Sequence, residues 1–378
     1  MRNGGIFFTG QGIAKKLLSL EAEDIFNQKV IYDPCCGVGD LLLMASHRFP
    51  IQTTLDATLK DWGERLFGND QISEFVDLAK IRIILSALYR GARPDIEVAI
   101  AKQYLHNISP ADTLSKNFKY PKADTILLNP PYSKIVSEFS KSWASGSVSQ
   151  AAIYLDRVIS SSSKGVKVLA ILPDVLRSGS RYDKWRSVIN KTGAPKQIKI
   201  VGRFDEYTDV DVFIGEFIVG DIQEKKIWWS GESNNSTPTK LGDLFHVSVG
   251  PVVPYRDPEK GTNYSYITAK DITLWTKERP KKKRKYYGTV FTPPFVLIKR
   301  TSSPSDKYRA GASIIMGKQN VAIENHLLVL SPKDGLLITC EQALDNLQKK
   351  QTNDWLNKRI RCRHLTVSAI KELPCWKK

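Results

Sequence analysis

The chain has 378 residues, a length that suits two domains better than one. Hydrophobic residues make up 42% of it, which is enough for packed cores and argues against global disorder. The net charge of +17 is unevenly distributed, because the residues from Pro238 onward hold 26 Lys and Arg against 12 Asp and Glu, whereas the preceding part holds 30 against 27. This asymmetry indicates a polyanion-binding module behind a nearly neutral domain. The alternative is a solvated basic surface without a partner.

Several classes of protein do not fit this sequence. No apolar run reaches the roughly 18 to 20 residues that span a bilayer, and the stretch "MRNGGIFFTGQG" lacks the regions of a signal peptide. Five cysteines without a CxxC pair, two of them the adjacent Cys35 and Cys36, form neither a disulfide framework nor a zinc-binding pattern. We therefore expect a soluble cytoplasmic protein without a metal site or a membrane partner.

The first part of the chain alternates predicted strands with predicted helices. The strand-like runs are residues 29–34, 66–70, 124–129, 166–173 and 212–222, and the helical runs are residues 40–49, 72–91 and 151–165. Repeated β-then-α units predict an α/β fold with a parallel sheet that is covered by helices on both faces.

The composition changes at residues 230–240, which are rich in Ser, Asn, Thr, Pro and Gly and read as a linker. Short predicted strands follow at residues 245–250, 264–268, 295–300 and 325–330, and a predicted helix covers residues 340–359. The expected organisation is thus one domain over residues 1–229, the linker 230–240, and a smaller α+β domain over residues 241–378.

A glycine turn follows the first predicted strand, in "DPCCGVGDL". Asp33 ends the strand, and Gly37 and Gly39 lie in the turn to the next helix. Leu42 stands where the dinucleotide fingerprint has its third glycine, which lowers the odds of NAD or FAD, and no GK[ST] sequence indicates a nucleotide P-loop.

Two further acids, Asp70 and Asp112, come at the ends of later predicted strands. Each of the three acids, taken alone, could be a helix N-cap. Three acids around one glycine turn suit a cationic adenosyl ligand better than a pyrophosphate.

The third predicted strand ends in Asn129-Pro130-Pro131-Tyr132. Taken alone, this tetrapeptide could be a Pro-Pro turn with Asn as a local cap. In combination with the glycine turn it resembles a known arrangement. The sequence D-P-x-C-G-x-G, a later acid, Ala111-Asp112-Thr113-Leu114 and N-P-P-Y, in that order, resemble the gamma class of adenine-N6 DNA methyltransferases. This family has a Rossmann-like class I methyltransferase sheet and uses S-adenosylmethionine.

The resemblance implies a role for each matching residue. Thr9 would contact the carboxylate end of the cofactor, Asp70 its ribose, and Asp112 the amino group of its adenine. Tyr207 would pack on the target base, with Phe204 as a rival. The residues implied around the methionine moiety and the transferred methyl group are Asp33, Pro34, Cys35, Gly37, Gly39 and Asn129.

The N-P-P-Y residues suit the chemistry that the resemblance implies. The amine of adenine is a poor nucleophile because its lone pair is delocalised into the ring. The Asn129 side chain and the Pro130 backbone carbonyl would accept its two N–H groups, and the fixed φ of Pro130 and Pro131 would keep those acceptors aimed. Tyr132 would offer a ring face on which the base, extruded from the duplex, can stack.

The basic C-terminal part resembles the target-recognition domains of type I specificity subunits in "KLGDLFHVSVG", "YSYITAKDI" and "RHLTVSAIKELP". Double-stranded DNA is therefore the implied partner. Its candidate contacts, for which solvated loops are the alternative, are Lys281, Lys282, Lys283, Arg284, Lys285, Lys299, Arg300, Lys307 and Arg309.

The sequence predicts a site-specific adenine-N6 DNA methyltransferase that works in restriction-modification or phage defence. Two alternatives stay open. One is an N-P-P-Y methyltransferase that acts on RNA or on a protein glutamine. The other is a DNA-binding subunit of a larger defence complex, active only with a partner. A separate restriction or defence subunit is compatible with each of them.

Overall fold

The computed structural model of the protein describes residues 9–21, 29–136, 143, 146–205, 210–221, 229 and 239–376. The chain divides into two compact units: unit 1 comprises Met1–Arg177 and Arg181–Trp229, and unit 2 comprises Ser178–Ser180 and Ser230–Lys378. Only Thr239 and Lys240 of the predicted linker lie within the described residues. None of the helices in the described part of the chain combines the length and the apolarity that a bilayer crossing requires.

Unit 1 is built around a seven-stranded sheet with the strand order β3-β2-β1-β4-β7-β9-β8. Its strands, together with a small hairpin of β5 and β6, are β1 (Ile31–Asp33), β2 (Leu66–Asp70), β3 (Ile108–Pro110), β4 (Thr125–Leu128), β5 (Lys134–Val136), β6 (Ser147–Ser149), β7 (Lys167–Pro173), β8 (Pro195–Arg203) and β9 (Asp211–Ile218). The strands β1 to β4 and β7 pair in parallel, whereas β9 pairs antiparallel with both β7 and β8. The predicted parallel sheet is thus present in β1 to β4 and β7, and it is extended at this edge by the antiparallel strand β9.

Helices cover both faces of this sheet, as predicted. They are α1 (Gln11–Leu18), α2 (Asp40–Ser46), α3 (Leu55–Gly63), α4 (Ser73–Tyr89), α5 (Val98–Tyr104), α6 (Gln150–Ser161), α7 (Asp174–Ser178) and α8 (Asp183–Thr192). Successive residues of a strand point to opposite faces, so Leu127 packs into a core with α1 to α5 while Ile126 and Leu128 pack into a second core with α6 and α8. This layered α/β architecture, with one antiparallel strand inserted at the edge, is the predicted class I methyltransferase-like fold.

Unit 2 contains a five-stranded and a three-stranded sheet, in the orders β10-β17-β14-β15-β12 and β13-β11-β16. The strands are β10 (Phe245–Val249), β11 (Thr262–Ile267), β12 (Lys277–Glu278), β13 (Lys282–Tyr286), β14 (Phe295–Lys299), β15 (Ala312–Ile315), β16 (Val321–Ile323) and β17 (Leu327–Pro332). The helices are α9 (Leu241–Leu244), α10 (Leu337–Gln348), α11 (Lys350–Arg359) and α12 (Val367–Glu372). The predicted α+β character is present, but the single helix predicted over residues 340–359 is two helices, because Lys349 between them has an extended backbone.

Candidate active site and nucleic-acid interface

The two sequence motifs meet at the carboxyl edge of the unit 1 sheet. Strand β1 lies between β2 and β4, so the chain runs outward from β1 in both directions across the sheet. Such a reversal of strand order opens a crevice at the carboxyl ends of the strands, where α/β proteins bind ligands. The glycine turn follows β1 and the N-P-P-Y sequence follows β4, which explains why residues about a hundred positions apart line one cavity.

The glycine turn adopts a backbone conformation that side chains disfavour. Gly37 has a φ of 51° and Gly39 a φ of 82°, both in the left-handed region that glycine reaches without strain. A Cβ atom on Gly39 would lie 2.7 Å from the Cβ of Ala79 in α4. Gly39 is therefore needed both for the turn and for the close packing of α4 against it.

Two acids flank this turn from neighbouring strands. Asp33 is buried and its Oδ1 accepts from the backbone N–H of Cys35 at 3.1 Å. Asp70 ends β2 and accepts from the N–H groups of Gly37 and Ile72, at 2.9 and 3.0 Å. Burial, with a smaller contribution from the nearby charge of Asp70, raises the pKa of Asp33 to about 8. Neither carboxyl has a cationic partner among the described residues, so this edge of the sheet favours a cation.

A cavity over this edge brings most of the predicted cofactor residues together. Its walls include eight residues that the sequence indicated: Thr9, Asp33, Pro34, Cys35, Gly37, Asp70, Asn129 and Pro131. Gly39, Pro130 and Tyr132 lie in the same two loops but do not form its walls among the described residues.

Asp112 is placed differently from the other acids. It is exposed, its Oδ1 accepts from the N–H of Leu114 at 3.0 Å, and the cavity wall is formed by the neighbouring Ala111. In this structure Asp112 shapes the loop after β3, so a contact between its side chain and an adenine amino group stays a prediction.

The cavity also contains side chains that the sequence reasoning missed. Among them are Ile72, the N-cap residue of α4, Phe75 from its first turn, and Gln150 and Tyr154 from α6. Ile72 lies two residues after the acid that ends β2 and precedes the first turn of α4, so its position relative to Asp70 is the signal that could have identified it. Phe75 and Tyr154 bring aromatic surface to the cavity, and no sequence pattern distinguishes them from ordinary core residues.

The N-P-P-Y residues form a compact hydrogen-bonded group after β4. The Nδ2 of Asn129 donates to the Oγ1 of Thr9 at 2.7 Å, and the hydroxyl of Tyr132 donates to the Oδ1 of Asn129 at 2.8 Å. Pro130 is buried, while Asn129, Pro131 and Tyr132 are half-buried. Burial raises the pKa of Tyr132 well above its usual value, so its hydroxyl keeps its proton and remains a donor.

An aromatic neighbour supports Tyr132. Phe204, directly after β8, meets its ring edge to face, with centroids 5.8 Å apart and an interplanar angle of 88°. Tyr207, the residue predicted to pack on the target base, lies outside the described residues. Phe204, its rival, is buried and contacts Tyr132.

The basic run of unit 2 is a strand rather than a loop. The residues of β13 alternate, so Lys283 and Lys285 are exposed, as are Lys281 and Lys282 at its beginning, whereas Arg284 and Tyr286 point inward. Strand β13 is an edge of its sheet. It therefore presents an exposed row of ammonium groups, to which the exposed Tyr287 adds an aromatic ring.

Burial removes two arginines from the predicted DNA contacts. Arg284 is 8% exposed and donates to the Oε1 of Glu259 and the carbonyl of Asp257. Arg309 is 0% exposed and donates to the carbonyls of Ser302, Ile360 and Cys362 and to the hydroxyl of Ser302. The prediction was wrong for both, because each guanidinium joins backbone segments inside unit 2.

The remaining predicted DNA contacts differ in exposure. Lys307 is exposed and its ammonium lies 5.3 Å from the centroid of the Tyr308 ring, while Lys299 and Arg300 are half-buried. Lys282 is exposed but forms an ion pair with Asp271. The residues that stay available to a polyanion are foremost Lys281, Lys283, Lys285 and Lys307.

The structural role of Arg309 leads to a prediction. Replacing Arg309 with Met would remove the guanidinium bonds to the buried carbonyls of Ser302 and Ile360 and to the part-buried carbonyl of Cys362, so we expect it to lower the free energy of unfolding of unit 2 by about 3 to 5 kcal/mol. Urea denaturation would measure this loss, with Lys307→Met as the matched exposed control that changes stability little. If Arg309→Met unfolded like the wild type and instead weakened DNA binding, the structural role would be contradicted.

Comparisons with known proteins found a matching family model and similar solved structures. A family model described as N-6 DNA Methylase matches residues 1–165. Among curated proteins none matches this chain. Of the solved structures, the type IIL restriction-modification enzyme MmeI in complex with DNA is similar at a TM-score of 0.51 and 10% identity, over 94% of this chain and 63% of that chain.

Two further solved structures are similar at lower scores. One is the methyltransferase subunit of a type I restriction-modification system from Streptococcus thermophilus, with a TM-score of 0.41 and 20% identity over 58% of this chain and 45% of that chain. The other is a class I S-adenosylmethionine-dependent methyltransferase from Listeria monocytogenes, with a TM-score of 0.42 and 14% identity over 60% of this chain and 66% of that chain. The chain thus spans between 45% and 66% of the length of these three structures. At 10% identity the likeness to MmeI supports the fold alone. The match to the N-6 DNA Methylase family model covers residues 1–165 of the 378 residues.

Proposed function

We propose that the chain is a site-specific DNA methyltransferase that transfers a methyl group from S-adenosylmethionine to the N6 atom of an extruded adenine. The observation that carries this proposal is the position of the Asn129 amide, which is fixed by two hydrogen bonds at the wall of an acidic cavity. An acceptor held beside a cation-binding cavity is what the transfer of a methyl group to a weakly nucleophilic amine requires.

The cavity residues fit the cofactor. Three carboxyls face the cavity, from Asp33, Asp40 and Asp70, and its walls contain no lysine or arginine among the described residues. Asp40 is paired with Arg82 at 2.7 Å, so Asp33 and Asp70 are the two whose charge a sulfonium or ammonium group would balance. Ile72, Phe75 and Tyr154 supply the apolar surface that an adenine ring needs.

The chain's own residues would hold the target amine. When bound, S-adenosylmethionine supplies a methyl group on a sulfonium. The Oδ1 of Asn129 and the carbonyl of Pro130 would accept the two N–H groups of the amine. A carbonyl oxygen has two lone pairs, so Oδ1 can accept from Tyr132 and from the amine together. No strong base is needed for this arrangement, and no strong base lines the cavity among the described residues.

The ring of Tyr132 is the proposed platform for the extruded base. Its contact with Phe204 fixes the orientation of the ring, which is half-buried at this edge of the sheet. Stacking on an aromatic ring offsets part of the cost of removing a base from the duplex. Tyr207 remains a second candidate for this contact.

Unit 2 is the proposed DNA-binding and target-recognition domain. Its support is the exposed lysine row on β13, in a unit that holds most of the chain's net positive charge. Phosphate contacts of this kind position the duplex without reading its sequence. We further propose that the protein works in restriction-modification or phage defence, together with a separate restriction or defence subunit.

A comparison of substrates tests the proposed function. Purified protein would be incubated with methyl-labelled S-adenosylmethionine and with duplex DNA, RNA or a protein extract in parallel. We expect the label in DNA alone. Label in RNA or in a protein glutamine would replace this proposal with one of the two alternative activities.

The buried acid predicts a pH dependence of cofactor binding. Because the pKa of Asp33 is raised to about 8, its carboxyl is protonated below that pH in the ligand-free protein, and a cationic ligand must expel the proton. We therefore expect affinity for S-adenosylmethionine to rise with pH by up to about tenfold per unit and to level off above pH 8. For the same reason, the ligand-free fold should lose stability as pH rises from 3.8 towards about 8.

Isothermal titration calorimetry between pH 6 and pH 9 measures this dependence. The amino group of the ligand also titrates in this range, so the matched control is Asp33→Asn, which keeps the ligand's titration and removes that of the protein. A wild-type profile that coincides with that of Asp33→Asn would contradict the prediction.

A further inference from the structure

Thr9 has a contact that its predicted role does not explain. It is 6% exposed, comes just before α1 and lines the cavity. Its hydroxyl lies 2.7 Å from the Nδ2 of Asn129, a residue 120 positions further along the chain. A residue expected to bind only the cofactor is thus bonded directly to the amide that is proposed to hold the target amine.

The direction of the hydrogen bonds determines what Thr9 can do. The Nδ2 of Asn129 donates, so the Thr9 oxygen accepts. A hydroxyl can accept and donate at once, and the O–H of Thr9 has no acceptor among the described residues. Because Thr9 lines the cavity, this O–H is available to an anionic group of a ligand there.

Tyr132 restrains the same amide from the other side. Its hydroxyl donates to the Oδ1 of Asn129 at 2.8 Å, and its ring is held by Phe204. The amide oxygen and nitrogen of asparagine have nearly the same shape, so only such bonds decide which atom faces a given partner. With Thr9 on the nitrogen and Tyr132 on the oxygen, the amide cannot rotate by half a turn without losing both bonds.

We propose that Thr9 is a positioning residue that couples cofactor occupancy to the orientation of the Asn129 amide, with the Tyr132 hydroxyl as its counterpart on the oxygen. A carboxylate that accepts from the Thr9 O–H strengthens the bond that the same hydroxyl accepts from Asn129, because consecutive hydrogen bonds polarise one another. The orientation of the Asn129 amide, and with it the position of its Oδ1 acceptor, is therefore most strongly restrained when the cofactor is bound. This inference rests on the proposed function for the identity of the ligand and the target.

Four variants separate positioning from general structural damage. They are Thr9→Val, which keeps the shape and removes the hydroxyl, Thr9→Ser, which keeps the hydroxyl, Tyr132→Phe, which keeps the ring, and the double variant Thr9→Val with Tyr132→Phe. The protein would be the full chain. Single-turnover methyl transfer gives the rate of the step, calorimetry gives the Kd for S-adenosylmethionine, and the fluorescence of 2-aminopurine at the target position reports base extrusion.

We expect the transfer rate of Thr9→Ser to stay within about threefold of that of the wild type. Thr9→Val and Tyr132→Phe should each slow methyl transfer by about tenfold, the equivalent of one lost hydrogen bond. Because either bond alone still orients the amide, the double variant should lose more than the product of the single effects. The 2-aminopurine signal should not change. Thr9→Val should also weaken cofactor binding, whereas Tyr132→Phe should not.

A spectroscopic measurement tests the coupling without activity. In protein labelled with ¹⁵N-asparagine, the Nδ2 resonances of Asn129 are identified by their loss in Asn129→Ala. S-adenosylhomocysteine, which has no methyl group to transfer, should shift them in the wild type and in Thr9→Ser but not in Thr9→Val.

Unchanged transfer rates in Thr9→Val, or an Asn129 shift that persists in it, would overturn the coupling. A wild type that shows the Asn129 shift but transfers no methyl group to DNA would refute the proposed function instead, and would leave the coupling in place.

Discussion

Replacing Asn129 with alanine should abolish methyl transfer to DNA while leaving the binding of S-adenosylmethionine nearly intact. The variant removes the acceptor proposed to hold the target amine, and the loss of one preorganised polar group of this kind slows an enzyme on the order of 10² to 10³-fold. Asn129 is one of many residues that line the cavity, so the cofactor Kd should change by no more than about threefold, the equivalent of about 0.7 kcal/mol.

Two further variants make this test specific. Asn129→Asp keeps an oxygen acceptor in the same place and should retain more activity than Asn129→Ala. Asn320→Ala changes an exposed asparagine of unit 2 and should behave as the wild type. Cofactor binding that disappears together with activity in Asn129→Ala would show that Asn129 supports the cavity rather than the target amine.

Neutralising the exposed lysine row should weaken DNA binding strongly without affecting the cofactor site. In a triple variant with Lys281, Lys283 and Lys285 changed to glutamine, three ammonium groups are lost from one edge of β13. If each contacts a phosphate, the slope of log K against log salt should become less negative by about 0.9 per lysine, and affinity at low salt should fall by on the order of 10²-fold.

The matched control carries the same change of charge at other exposed lysines. Lys318, Lys350 and Lys358 are exposed on unit 2, and their change to glutamine removes the same net charge. Fluorescence anisotropy with labelled duplex DNA, measured across a range of salt concentrations, compares the two variants. Equal losses in both would mean that net charge, rather than the β13 edge, governs binding.

The local sequence pattern was sufficient to predict the strands and helices whose ends are marked by an acid or a glycine. The strand over residues 66–70 was predicted and is β2 (Leu66–Asp70), and the helix predicted over residues 72–91 is α4 (Ser73–Tyr89). Both combine an apolar run with an acid or glycine at its end, and tertiary contacts do not override those signals. The meeting of Asp33, Asp70 and Asn129 in one cavity also follows from the rule that parallel strands present their carboxyl ends at one edge.

The local sequence pattern was not sufficient to predict the direction of a strand or the position of a break between two helices. The antiparallel direction of β9 is a property of its pairing with β7 and β8, and no residue within residues 212–222 encodes it. The break at Lys349 also has no glycine or proline to indicate it. In both cases long-range packing selects between local conformations of similar energy.

The positions of basic residues in the sequence could not show which of their side chains are exposed to solvent. Arg309 and Lys307 lie two residues apart, yet one is fully buried among backbone carbonyls and the other faces solvent. The run over Lys281 to Lys285 looked uniform, but its strand conformation turns Arg284 inward. The alternation of a strand explains this result, and it becomes visible only when the run is known to be a strand.

The hydrogen bonds around Asn129 could not be predicted either. The resemblance to adenine-N6 methyltransferases indicated Thr9, Asn129 and Tyr132 as separate participants. Their geometry links all three through one amide.

Nucleoside mass spectrometry of DNA treated with the purified chain and S-adenosylmethionine tests the central claim most directly. The cofactor would carry a deuterated methyl group, the DNA would be unmethylated and of diverse sequence, and Asn129→Ala would be treated in parallel. The claim predicts labelled N6-methyl-2′-deoxyadenosine with the wild type and none with Asn129→Ala. Label on a cytosine, or no labelled nucleoside from wild-type protein that binds both S-adenosylmethionine and DNA, would contradict it.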